Sequence, residues 1–214
     1  MKILKRKLTV VLTMIPLIAA CTNLSHRKHD PQRRFRGMGC VLVIDAMRDV
    51  EVFGLEFYDD RGSEIYGKAV QNLRNQSMFA LGGIYVPVTV RATWREGRGW
   101  DDQKKIWNEG VIIGDYTFPV AERIPDEVLN DIREHGGNLR LKFRVQSDGV
   151  LFGWDIERAL PIPNCNTREV LTCMATHLFS PGGDFKEAYI SRGKVVEKGW
   201  YIDKQTGQKI ETDY

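Results

Sequence analysis

The chain has 214 residues, 43% of them hydrophobic and 28% charged, with 31 Lys and Arg against 28 Asp and Glu and a formal charge of +3. That length suits a single domain with a substantial core. The positive charge lies in the N-terminal part alone: residues 22–36 carry +4, whereas residues 37–214 hold 22 bases against 27 acids, which excludes a basic nucleic-acid-binding body.

The N-terminus sets Lys2, Lys5, Arg6 and Lys7 before an apolar run of 13 residues, Leu8 to Ala20, broken by Thr9, Thr13 and Pro16. A bilayer span needs about 20 apolar residues, so this run is too short to cross comfortably. The order basic, apolar, small is that of an export signal. Its end, Ile18-Ala19-Ala20-Cys21, resembles the lipobox of bacterial lipoproteins. That resemblance makes residues 1–20 a signal peptide and Cys21 the lipid-bearing first residue of the mature chain. Thr22 follows, where an Asp would imply retention in the inner membrane, so the expected location is the outer membrane, facing the periplasm. Each buried methylene contributes about 0.8 kcal/mol, and three acyl chains would hold effectively permanently.

Residues 21–36 then read as the lipidated cysteine and a basic flexible tether. They contain few apolar residues, include Pro31 and show no period. A random coil of this length reaches about 20 Å. It either lies on anionic head groups or serves as a solvated spacer. Residues 37–214 form one expected periplasmic domain, with no later apolar run long enough to span a membrane.

Along that body, "GMGCVLVI" carries Cys40 in an apolar setting. "EVFGLEFY" places Phe53, Leu55 and Phe57 on one face, and "DDRG" turns the chain into "SEIYG". "VPVTVRATW" alternates Val86, Val88, Val90, Ala92 and Trp94 with Thr89, Arg91 and Thr93, the pattern of a half-buried strand. "IPDEVLNDIREHGG" is the best-marked helix. Pro125 suits its first turn, Asp126 and Glu127 its positive end and Gly136 its stop, while Val128, Leu129 and Ile132 form an apolar stripe. In "NLRLKFRVQSDGVLFGWDIE", Leu139, Leu141, Phe143 and Val145 alternate with Arg140, Lys142 and Arg144. Asp148-Gly149 turns, and Val150, Phe152, Trp154 and Ile156 return. A terminal hairpin is expected about Thr206-Gly207. A second helix is expected at "SEIYGKAVQNLRN" or "TREVLTCMATHL". The fold class is β-rich α+β: an antiparallel sheet or β-sandwich with one or two short helices packed on it.

Three cysteines remain beside Cys21. An oxidising compartment favours a disulfide, and Cys165 with Cys173 closes a short loop at little entropic cost. Cys40 then behaves as a small hydrophobe, and its pairing with either of the others is the rival arrangement. Cys165, Cys173 and His177 lack both the spacing and the fourth ligand of a structural zinc site. His135 belongs at the negative end of the helix. Ser63 is not in a nucleophile elbow, and the Gly pairs at 82–83, 136–137 and 182–183 open no phosphate-binding unit. Asp59-Asp60 and Asp101-Asp102 fit solvated turns. No catalytic set, metal site or cofactor is therefore expected, and the chain reads as a binding protein rather than an enzyme. The segment "TWREGRGWDDQKKIWNEG" sets Trp100 and Trp107 among charges, the residue types of interface hot spots. Either they present a partner-binding patch or they fold back over the sheet.

Gly82-Gly83, the strand Pro87–Trp94, the segment Asp115–Pro119, the helix Pro125–His135 and the hairpin Leu139–Trp154 together resemble a family of small bacterial outer-membrane lipoproteins of mostly unknown function. Some of these are immunity proteins that bind phospholipase effectors of type VI secretion in the periplasm. The resemblance covers less than half the chain, and its motifs are packing features. It implies a tethered inhibitor of an envelope-attacking toxin of the phospholipase type. The alternative is an accessory structural lipoprotein of the envelope or of a secretion assembly.

Overall fold

Period-two alternation, β-branched residues and turns bearing Gly or Asp make most of this chain strand. The computed structural model describes residues 30–48, 50–71, 77–80, 85–165 and 173–214. The expected signal segment, Cys21 and Gly82-Gly83 lie outside the described residues. In chain order the strands are β1 (Gly39–Ala46), β2 (Glu51–Asp59), β3 (Glu64–Gln71), β4 (Ser77–Ala80), β5 (Thr89–Glu96), β6 (Gly99–Asp101), β7 (Ile106–Asn108) and β8 (Val111–Pro119). Helix α1 (Asp126–His135) follows, then β9 (Asn138–Gln146), β10 (Gly149–Pro161) and β11 (Met174–Gly183). The C-terminal region adds β12 (Phe185–Lys186), β13 (Tyr189–Ser191), β14 (Lys194–Glu197), β15 (Gly199–Ile202) and β16 (Lys209–Thr212). Short 3-10 turns occupy Pro31–Phe35 and Ala121–Arg123.

Two sheets make the frame. One runs β11-β10-β9-β1-β4 and the other β3-β2-β5-β8. The second is antiparallel throughout, but the first is mixed. β1 and β9 pair in parallel, from Gly39 against Asn138 to Ala46 against Val145. This departs from a purely antiparallel sheet, because a parallel pair needs a long crossover and the chain supplies one in the whole second sheet and α1. Apolar faces of the two sheets meet in one core. Phe57 of β2 lies 5.4 Å from Phe143 of β9, and Phe118 of β8 lies 5.7 Å from the same ring. The β9–β10 hairpin forms in the register its sequence implies, Gln146 opposite Gly149 and Phe143 opposite Phe152.

Helix α1 lies where its capping signals put it. Pro125 occupies the N-cap rather than the first helical position, and Gly136, at φ 74°, ends the helix with its N–H on the Ile132 carbonyl. Val128, Leu129 and Ile132 are buried against the sheets. The terminal hairpin is β15–β16, turning at Gly207 with φ 68°. Glu64–Gln71 and Met174–Gly183 are strands, so neither gives the expected second helix over those residues; residues 72–76 and 166–172 lie outside the described residues.

Several expectations are corrected. Residues 31–36, read as part of a flexible tether, pack on the body. Phe35 is fully buried, and the Gln32 side chain exchanges hydrogen bonds with the Val86 backbone at 2.6 and 3.2 Å. Arg34 donates to the Ile124 carbonyl at 2.7 Å and to Asp126 at 2.8 Å. An apolar ring and a guanidinium with ready partners dock this basic stretch on the body. In β2, Phe53 does not share a face with Leu55 and Phe57. A bulge between Val52 and Leu55, with Gly54 at φ 56°, buries Val52 and leaves Phe53 55% exposed.

The alternate face of β9, which carries the three cations, is buried as well. Arg140, Lys142 and Arg144 are 5%, 2% and 3% exposed. The C-terminal region covers them with Phe185, which both Lys142 and Arg144 approach from 4.9 and 4.4 Å. Each cation has an anion: Arg144 donates twice to Asp45 at 2.8 Å, Lys142 lies 2.9 Å from Asp155, and Arg140 lies 3.4 Å from the same carboxylate. Burial raises the Asp45 carboxyl, against the opposing pull of Arg144. Burial acts to lower Arg144, yet the Asp45 bond and charge carry it above its ordinary value.

Cys165 and Cys173 form a disulfide across Cα atoms 5.4 Å apart. Cys40 is a free, buried thiol that burial pushes up to about 12. It is thus unreactive near neutrality.

Candidate binding surface

The strands β5 and β8 run past the end of their sheet, and their continuation is the small ribbon β6–β7. Gly110 makes the neck of this ribbon. Its φ is 72°, and a Cβ there would overlap the Glu96 carbonyl oxygen. The tip is held by Asp101, whose carboxylate accepts from the N–H groups of Gln103 and Lys104 at 3.0 Å. Within the ribbon Trp100 stands opposite Trp107. Neither folds back over the sheet: they are 55% and 53% exposed, and Ile106 beside them is 53% exposed.

Below the ribbon, β8 begins with three consecutive exposed apolar residues, Val111, Ile112 and Ile113. A bulge explains the run. Trp94 pairs with Gly114 and Arg95 with Ile112, so Ile113 is an extra residue whose side chain is re-aimed. Gly114 is required at that point because a Cβ there would overlap the Trp94 indole, which stacks on Tyr116 at 5.2 Å.

The two bulges open on one groove of about 640 Å³. Phe53 and Ile113 line it from β2 and β8, Trp94 and Arg95 from β5, and Gln146 from the end of β9. Arg98 crosses beside Gly54 and binds Glu56 at 2.9 Å, with Glu109 at 3.8 Å. Arg95 is only 4.0 Å from Glu56 at its nearest approach. Two polar atoms of this lining, Arg95 Nε and Gln146 Oε1, are sealed from water without a hydrogen-bond partner.

The structure therefore places Trp100 and Trp107 together and beside a groove that the sequence reading did not identify. Its signals were Gly54 inside a strand pattern and the run Val111-Ile112-Ile113-Gly114, each of which marks a bulge. The other candidates fall elsewhere. His135 Nδ1 pairs with Asp131 at 2.8 Å near the end of α1, and the Arg158 guanidinium holds the Asp131 carboxyl below its usual range. The sulfurs of Cys165 and Cys173 bond each other, so with His177 they offer no thiolate pair to a metal. A second apolar ribbon, β13–β14, exposes Tyr189, Ile190, Val195 and Val196. Comparison with known proteins found no family model, no curated protein and no solved structure that matches the chain.

Proposed function

We propose that this chain is a membrane-tethered binding protein of the cell envelope, an immunity protein that neutralises an incoming phospholipase-type effector. The observation that carries the binding role is the gathering of Phe53, Trp100, Ile106, Trp107 and Val111–Ile113 at one end of a sheet, all of them at least 42% exposed. Large apolar groups rarely cluster on a surface unless something covers them. Rigid aromatics on a well-held ribbon lose little entropy when they are covered. The choice of partner rests on the lipobox and on the partial lipoprotein resemblance. The Cys165–Cys173 disulfide fits an oxidising compartment.

The reading is tested by competition between sibling cells. Cells lacking the gene should be killed by siblings that deliver the matching effector and rescued by the wild-type chain. Rescue should fail with Trp100→Ala/Trp107→Ala at equal protein abundance. Full survival of the deletion strain would contradict it. The second ribbon, β13–β14, favours an alternative, an accessory structural lipoprotein that bridges two resident partners. That role predicts an envelope defect without any toxin, removed by restoring Val195 and Val196 in a chain that carries charges there.

A further inference from the structure

We infer that residues 184–214 form a strap that comes off the first sheet as one unit, taking the exposed apolar ribbon β13–β14 with it, while the two-sheet body stays folded. This goes beyond the binding role and does not depend on which partner the chain meets.

The strap keeps its own ladders. Its strands pair as β12-β15-β16 and β13-β14, and among the described residues none of them pairs with a strand of either main sheet. Main-chain bonding to the body is concentrated at the joint, where the Asp184 N–H bonds the Phe152 carbonyl at 2.8 Å. Gly183, the last residue of β11, has φ 98° and marks where the chain departs. Glycine holds that backbone geometry without strain and can leave it as easily.

The seam beneath the strap is separate from the core. Phe185 meets Met47 and Leu151, with Val50, Tyr201 and Tyr214 around them, in a cluster distinct from the one that unites the two sheets. The rest of the seam is ionic. Lys142 and Arg144 lie against the Phe185 ring, and Glu187 of the strap approaches them at 3.8 and 3.6 Å. Their nearer anions, Asp155 and Asp45, belong to the body, so those pairs survive opening. Opening exchanges the Glu187 contacts for water, and regained hydration offsets much of the loss. Contiguous units with so little apolar burial of their own open below the free energy of global unfolding.

The two exposed apolar ribbons therefore have different supports. β6–β7 continues the second sheet, whereas β13–β14 lies in the strap. Opening changes the distance between them without altering either.

Two groups under the strap report opening: Lys142, 2% exposed, and Leu151, fully buried. Cys40, a free thiol packed in the main core, reports unfolding of the body. The full chain in detergent micelles is labelled under native conditions, with iodoacetamide for Cys40 and Leu151→Cys and with acetic anhydride for Lys142. Mass spectrometry gives each rate relative to the denatured chain. Leu151→Cys should be protected about a hundredfold less than Cys40, the mark of a local opening. Gly114→Val, which overpacks the second sheet, should speed labelling of Cys40 about tenfold. It should leave Leu151→Cys and Lys142 unchanged, because open and closed strap share the same folded body. Asp184→Asn should speed labelling of both strap reporters about tenfold or more, as loss of a hydrogen-bonded charge at the joint requires.

Equal protection of Leu151→Cys and Cys40 overturns the inference. So does Gly114→Val speeding all three sites alike, since the seam would then open only with the whole fold. Leu151→Cys trims the seam it reports on, so Lys142 in the otherwise unsubstituted chain decides. Protection of Lys142 as strong as that of Cys40 overturns the inference whatever the cysteine variant shows.

Discussion

Gly114 and Trp94 carry the sharpest residue-scale prediction. A side chain at position 114 must displace the indole that forms part of the groove and stacks on Tyr116. Gly114→Val should therefore destabilise the protein by about 1–3 kcal/mol, the usual cost of overpacking. It should also alter near-ultraviolet dichroism, which reports tryptophan environment. Trp100→Ala, by contrast, removes a side chain more than half exposed. Chemical denaturation should show a change within about 0.5 kcal/mol, since surface substitutions seldom do more. The contrast between these tryptophans was partly visible in sequence. Trp94 closes a period-two run and reads as buried, whereas Trp100 and Trp107 lie among charges and admitted either placement. Arg140, Lys142 and Arg144 were the residues least open to prediction. Their alternation with apolar neighbours is the same whether the second face meets water or another layer, and only the distant C-terminal region decides.

That covering region is best understood as an element pinned by Asp184. Its carboxylate accepts from Arg123 at 2.6 Å, from the Phe152 N–H at 3.0 Å and from Lys204 at 3.0 Å. Its backbone N–H bonds the Phe152 carbonyl, and its carbonyl accepts from Ile202. Burial acts to raise this carboxyl, but the Arg123 bond, the backbone N–H and Lys204 outweigh it, and it titrates below its ordinary value. A depressed folded-state value contributes stability above the unfolded value near pH 4, and the contribution is lost as pH falls through the folded one. Asp184→Asn should thus cost about 1.5–3 kcal/mol at pH 7, the range for hydrogen bonds to charged groups. Thermal unfolding across pH should show wild type and variant converging in strong acid; a constant difference would remove Asp184 from this role. The disulfide is a second staple. Cys165→Ser/Cys173→Ser should lower stability by about 2–3 kcal/mol on the loop-entropy account, measured by denaturant unfolding. Element by element, the β9–β10 hairpin, α1 and the terminal hairpin were legible because local signals of turn, cap and period agree. The bulges in β2 and β8 were not, because register against a neighbouring strand is a tertiary property.

For the whole molecule, the parallel pairing of β1 with β9 makes the fold non-local. A strand near residue 40 finds its partner near residue 140 only after the second sheet and α1 have been laid between them. Nothing in the sequence near Cys40 encodes that neighbour, which is why an antiparallel arrangement was expected. The result is a layered body: two sheets share an apolar core, and the C-terminal region seals ions on the outer side of the first. Breaking one buried pair leaves its partner stranded, so Asp45→Asn should destabilise by about 3 kcal/mol, and Asp45→Leu/Arg144→Met should recover most of that loss. A double-mutant cycle of unfolding free energies checks the coupling. The exposed apolar ribbon β6–β7 lies on an extension of the second sheet, and Trp100, Ile106 and Trp107 contribute nothing to the buried core. The most direct measurement is calorimetric titration of the full chain with the effector whose delivery kills sibling cells lacking the gene. Tight binding that weakens about a hundredfold or more in Trp100→Ala/Trp107→Ala is the predicted result for hot-spot residues. Equal affinity of the two proteins, or no binding by the wild type, would contradict the central claim.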